Sequence, residues 1–88
     1  MGYTMKKYQV ELKESVKKFI SKMDKHIVKR ILEAATSLED DPRPYGHIKM
    51  KGEESYRIRV GRYRIIYEIY DTKVLVFVIN VDHRKDVY

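Results

Sequence analysis

The hydrophobic period of this chain changes at a pair of prolines. Before Pro42 and Pro44 most apolar residues recur at helical spacing, and after them they alternate with polar ones. A 3.6-residue stripe and a two-residue alternation bury different faces, so the chain must lay helices against a sheet.

Tyr8, Val10 and Leu12 alternate with polar neighbours and predict a half-buried first strand. Val16, Phe19, Ile20 and Met23 then follow at helical spacing. Asp24 is placed to cap a second helix, in which Ile27, Ile31, Ala34 and Leu38 form one apolar row. Val28, Leu32 and Ala35 form the adjacent row, wide enough together to lie on a sheet, while Lys25, Lys29, Arg30 and Glu33 mostly take the outer side. Glu39, Asp40 and Asp41 sit at the disfavoured end of the helix dipole. The prolines stop the helix and start an extended connection. Beyond them Ile48 and Met50 alternate with Lys49 and Lys51, and Gly52 to Glu54 reads as a turn. Tyr56, Ile58 and Val60 alternate with Arg57 and Arg59. Gly61 and Arg62 turn the chain, and Ile65, Tyr67 and Ile69 continue the pattern. Asp71 to Lys73 is a short turn, and Val74 to Val81 is apolar on both faces, as a central strand should be. The expected fold class is α+β, in β-α-α-β-β-β-β order, with two N-terminal helices packed on one face of a small, mostly antiparallel sheet.

With 88 residues, residues 1–88 are expected to form a single domain. A chain this short buries roughly 60–65% of its unfolded surface, so function belongs on an open face or groove. There is no cysteine, which excludes disulfides, thiol nucleophiles and cysteine-ligated zinc. The three histidines, His26, His47 and His83, show no metal-ligand spacing, so no metal and no cofactor is expected. No apolar run approaches the roughly 20 residues of a membrane helix, and no membrane partner is expected. The first ten residues lack the apolar stretch of a secretory signal; together with the absence of cysteine this suits the cytoplasm.

The net charge of +6 points to a polyanion only if the cations converge. Alternation puts Arg57, Arg59 and Arg64 on the face opposite Ile58 and Ile65, with Lys49 and Lys51 joining them if the second strand pairs in register. Like charges on adjacent strands repel, a cost that a bound polyanion removes. Arginine suits phosphate: its planar fork binds bidentately and stays charged. For Glu68, a salt bridge to Arg64 or Arg59 is expected.

The stretch from Tyr56 to Ile69, YRIRVGRYRIIYEI, resembles the central hairpin of RelE-type toxins. So does the ending from Val81 to Tyr88, VDHRKDVY, and the Lys49-Met50-Lys51-Gly52 segment fits as well. The resemblance runs the length of the chain. It implies an enzyme that enters the ribosomal A site and cuts mRNA without a metal, the 2′-hydroxyl of the RNA attacking the adjacent phosphate. It also implies a RelB-type antitoxin partner, and operator DNA bound only through the toxin–antitoxin complex. By position, Arg64 and Arg84 match arginines that stabilise charge on the scissile phosphate, and Tyr88 matches a tyrosine that stacks on or orients the substrate. Arg57 and Arg59, with Lys49 and Lys51, would bind substrate. Arg57 and Arg59 stand where the best-known members have lysines, one of which serves in proton transfer. Arginine cannot take a proton at neutral pH. His83, Tyr88, Glu68 and Lys51 are the candidates to do so, His83 first because its intrinsic pKa suits both acid and base work. Two other readings stand beside this one. ParE-like toxins share the fold and poison DNA gyrase, and a non-catalytic RNA- or ribosome-binding domain would use the same cationic face.

Overall fold

A computed structural model describes residues 7–52 and 54–83. The elements run β1 (Gln9–Leu12), α1 (Glu14–Ile20), α2 (Lys25–Ser37), β2 (Ile48–Lys49), β3 (Ser55–Val60), β4 (Tyr63–Tyr70) and β5 (Leu75–His83), in the expected order and class. The five-stranded sheet has the spatial order β1-β5-β4-β3-β2. Strands β2 to β5 pair antiparallel, whereas β1 pairs parallel with β5, through Gln9 with Leu75 to Leu12 with Val78. β5 is therefore interior, which is why it is apolar on both faces.

Both helices lie on one face of the sheet. Beneath them Ile65, Tyr67, Val76 and Val78 are fully buried, against Val16 and Ile20 of α1 and Ile31 of α2. Each such aliphatic side chain stabilises the fold by roughly 1.5–3 kcal/mol through apolar burial. Tyr67 is fully buried as well; its hydroxyl donates to the Pro42 carbonyl at 2.8 Å. The proline segment is thereby tied to the middle of the sheet. Asp24 takes the N-cap position of α2, although its side chain makes no capping bond. The helix ends at Ser37, and its last turn tightens, with Leu38 and Glu39 N–H groups donating to the Ala35 and Thr36 carbonyls. Lys7 approaches Glu39 and Asp40 at 4.0 and 3.9 Å and so offsets part of the acidic charge at this helix end.

Four expectations need correcting. The apolar stripe of α2 is narrower than two full rows, because Leu32 is exposed while Ile31, Ala35 and Leu38 are buried. Arg30 does not point away from the sheet. Its guanidinium lies over Gly61 in the β3–β4 turn, where an added Cβ would meet a guanidinium nitrogen at 3.2 Å. Lys49 and Lys51 do not join the arginines: Ile48 pairs with Arg57 and Lys49 with Tyr56, so Lys49 shares the helix-side face. The cause is the length of the connection. The Met50 N–H donates to the Ser55 carbonyl, and Lys51 lies in a turn with Gly52 directly after it. Glu68 pairs with neither Arg64 nor Arg59, since the Tyr70 hydroxyl donates to it at 2.5 Å and Arg64 finds another carboxylate.

The turn after β4 is a 3₁₀ helix, Asp71–Lys73, which ends with Val74 at φ 51° and ψ 49°. This is the left-handed region, costly for a β-branched residue. The strained residue opens β5, and its carbonyl accepts the Gln9 N–H at 2.9 Å, the first bond of the β1–β5 pairing.

Candidate nucleic-acid interface

The register assigns every side chain of the uncovered sheet face to a row across the strands. At the β3–β4 turn the row is Arg59, Arg64 and Asp82. The next is Ile48, Arg57, Ile66 and Asn80. After the bulge at Ile66/Tyr67 come Ser55, Glu68, Phe77 and Glu11, and then Tyr70, Leu75 and Gln9. Cationic charge is thus concentrated at one end of the face, and the other end is apolar and acidic. Nothing in the described chain covers this face.

Arg59 and Arg64 are direct cross-strand partners, an arrangement that is repulsive unless charge is neutralised. Part of that neutralisation is internal. Arg64 Nε donates to Asp82 Oδ1 at 3.0 Å, with both side chains about one-third exposed. The bond uses one of five guanidinium N–H donors, so Arg64 is oriented without being saturated.

Beside Arg57 and Arg59 a groove of about 560 Å³ runs below α2, lined by Ala34, Pro44, Tyr45, Ile48 and Ile58. Tyr45, on a turn held by Gly46 at φ 92°, is fully exposed. An exposed ring beside guanidinium groups is suited to stacking on a base. Neither Tyr45 nor Asp82 stands out in the sequence. Tyr45 follows a proline and reads as loop; Asp82 would have been found by extending the strand alternation one residue pair further, to the position opposite Arg64.

His83 goes elsewhere. It pairs with Tyr63, their rings edge-on at 5.1 Å, on the helix-side face. There it lines a separate cleft of about 280 Å³ with His26, Arg30, Arg62 and Tyr63. The structure therefore brings Arg57, Arg59 and Arg64 together and places His83 on the other side of the sheet from them. Arg84 and Tyr88 lie outside the described residues.

A second arginine–aspartate pair braces the fold. Arg43 makes two bonds to Asp71, at 3.3 and 2.9 Å, and its guanidinium lies 5.5 Å from the Tyr56 ring centre. The Tyr8 hydroxyl donates to the same carboxylate at 2.7 Å. Its bonds to Asp71, and after them its contact with Tyr56, hold the Arg43 pKa above its ordinary value. Tyr56 stacks on Tyr67 at 5.9 Å, and His47 Nδ1 donates to the Pro44 carbonyl at 2.7 Å. His47 is thereby structural.

The geometry agrees with what the chain is similar to. The family model described as the ParE toxin of the type II toxin–antitoxin system parDE matches residues 7–88. No curated protein sequence matches. Among solved structures, the archaeal RelE–RelB complex from Pyrococcus horikoshii contains a chain 28% identical, with a TM-score of 0.82 over 92% of this chain and 99% of that one. The toxin–antitoxin complex RelBE2 from Mycobacterium tuberculosis gives 26% identity and a TM-score of 0.81 over 97% and 100%. The isolated RelE toxin of E. coli gives 28% and 0.76 over 92% and 90%. With the matched family spanning nearly the whole described chain and the fold shared with RelE, this chain belongs to the ParE toxin family, within the RelE/ParE superfamily of type II toxin–antitoxin toxins.

Proposed function

We propose that this toxin is a ribosome-dependent endoribonuclease that cuts mRNA in the A site and so stops translation. The observation that carries the reading is the convergence of Arg57, Arg59 and Arg64 at one end of an uncovered sheet face. Three guanidinium groups so placed can hold consecutive phosphates and stabilise charge that develops on one of them. In this reading the 2′-hydroxyl attacks the adjacent phosphorus without a metal, leaving a cyclic phosphate and a free 5′-hydroxyl. Arg64 and Arg84 face the scissile phosphate, Arg57 and Arg59 hold its neighbours, and Tyr88 orients the RNA. His83 lies on the far side of the sheet from these arginines.

The partner is a RelB-type antitoxin, by analogy with the RelE–RelB complexes to which the fold is similar. It would neutralise the toxin in the cytoplasm and carry the complex to operator DNA. Residues 1–88 act as a single domain in this proposal. Among the described residues no helix is long and apolar enough to cross a membrane.

Primer extension on a defined mRNA, with programmed ribosomes present or absent, tests the reading. Cuts at the A-site codon only with ribosomes are expected. A second reading is favoured by the ParE family match: poisoning of DNA gyrase. A supercoiling assay separates the two, because the ribonuclease should leave gyrase untouched. Ribosome occupancy with intact mRNA would instead indicate a non-catalytic binder.

A further inference from the structure

We infer that Asp82 is the group that takes the 2′-hydroxyl proton, acting from within the arginine cluster. This rests on the ribonuclease reading above. The chemistry needs a proton acceptor beside the cations that bind the phosphate, and the described arginines cannot supply one. His83 faces the opposite side of the sheet, in contact with Tyr63. Among the described residues two carboxylates, Glu68 and Asp82, belong to the open face near the arginines. Glu68 is two positions along β4 from Ile66, the partner of Arg57, and is engaged by the Tyr70 hydroxyl. Asp82 is in the same cross-strand row as Arg59 and Arg64, and 3.0 Å from Arg64 Nε.

The pairing sets the direction of the carboxylate. One oxygen accepts from Nε, so the guanidinium holds the carboxylate beside it and has further N–H groups for an anion alongside. A phosphodiester held by those N–H groups brings its neighbouring ribose next to the carboxylate. In the step, the O2′–H proton passes to Asp82 as the O2′–P bond forms. The P–O5′ bond breaks, and water protonates the leaving 5′-oxygen. Asp82 then returns its proton to solvent. Arg64 neutralises the charge accumulating on the phosphoryl oxygens throughout.

The test is single-turnover cleavage of ribosome-bound mRNA by wild type, Asp82→Asn, Asp82→Glu and Glu68→Gln, with ribosome binding and thermal unfolding measured on each. Asp82→Asn should bind ribosomes and cut at least about 100-fold more slowly, the lower end of what a general base contributes. Asp82→Glu should recover part of the rate, and Glu68→Gln should cut as wild type does. The pH profile separates a base from a brace. With Asp82 as the base, the wild-type rate should not rise with pH between about pH 6 and about pH 8.5. In Asp82→Asn hydroxide must take the proton, and the rate should rise about tenfold per pH unit. If Asp82→Asn is slow but keeps a flat profile, Asp82 only holds Arg64 and the proposal is overturned. Wild-type or faster cutting by that variant also overturns it while leaving the ribonuclease reading intact. Failure of the wild type to cut at all would overturn that reading itself, and the role of Asp82 with it.

Discussion

Among the described residues two arginine–aspartate pairs have similar exposure, and they are built for different ends. Arg43 meets Asp71 through two nitrogens, shares that carboxylate with Tyr8 and lies over Tyr56. It ties the proline segment to the 3₁₀ turn after β4. Arg64 meets Asp82 through Nε alone, in a row that also contains Arg59 and on a face no helix covers. Partly exposed pairs of either kind contribute about 0–1 kcal/mol to stability. What separates them is the donor capacity left over. The first pair is closed by its neighbours; the second keeps donors directed at solvent, as an anion site requires.

The sharpest way to break this comparison is to delete each arginine. Arg64→Ala should lower mRNA cleavage by about 10²–10³, equivalent to about 2.7–4 kcal/mol of lost transition-state stabilisation, with little change in melting temperature. Arg43→Ala should do the reverse, costing up to about 1 kcal/mol of stability and leaving cleavage per folded molecule unchanged. Equal effects on both properties would erase the distinction.

A smaller effect is expected at Tyr67, which anchors the structural side. Tyr67→Phe removes the bond to the Pro42 carbonyl and should cost about 0.5–1.5 kcal/mol. Burial raises the Tyr67 pKa above its ordinary 10.0. The unfolded chain therefore loses this proton first, and stability present below about pH 10 falls as pH rises beyond it. Denaturant unfolding of wild type and Tyr67→Phe across the alkaline range should show this contribution only in wild type. The smallest effect is on salt dependence. If Arg59 contacts one phosphate, Arg59→Gln should reduce the slope of log affinity against log salt by about 0.7 for single-stranded RNA. An unchanged slope would place Arg59 outside the contact.

Much of this was legible in the sequence, because the period of the apolar residues reports which side of each element is buried. The change at Pro42 and Pro44 separated helices from sheet, and alternation put Arg57, Arg59 and Arg64 on one face. What stayed hidden depended on connections. Lys49 was misplaced because a strand of two residues carries too little alternation to fix its register; the turn that begins at Lys51 decides it. The parallel pairing of β1 with β5 is a long-range choice that no local pattern encodes. Arg30 looked solvated because periodicity cannot show that Gly61 leaves room for its guanidinium. Asp82 was overlooked because it stands next to His83, whose intrinsic chemistry drew attention to the wrong side of the strand.

The β1–β5 pairing also dictates an order of events during synthesis. Residues 9–12 leave the ribosome early, yet their hydrogen-bonding partners are residues 75–78. Until β5 emerges, β1 has no edge to join and the apolar sides of α1 and α2 have no central strand beneath them. Nascent chains stalled with β5 still inside the exit tunnel should be cleaved readily by protease, and chains stalled after its release should resist. A protein proposed to attack the translating ribosome would then be harmless to the ribosome that is making it until β5 is released, since the platform for its arginines is assembled only with that strand.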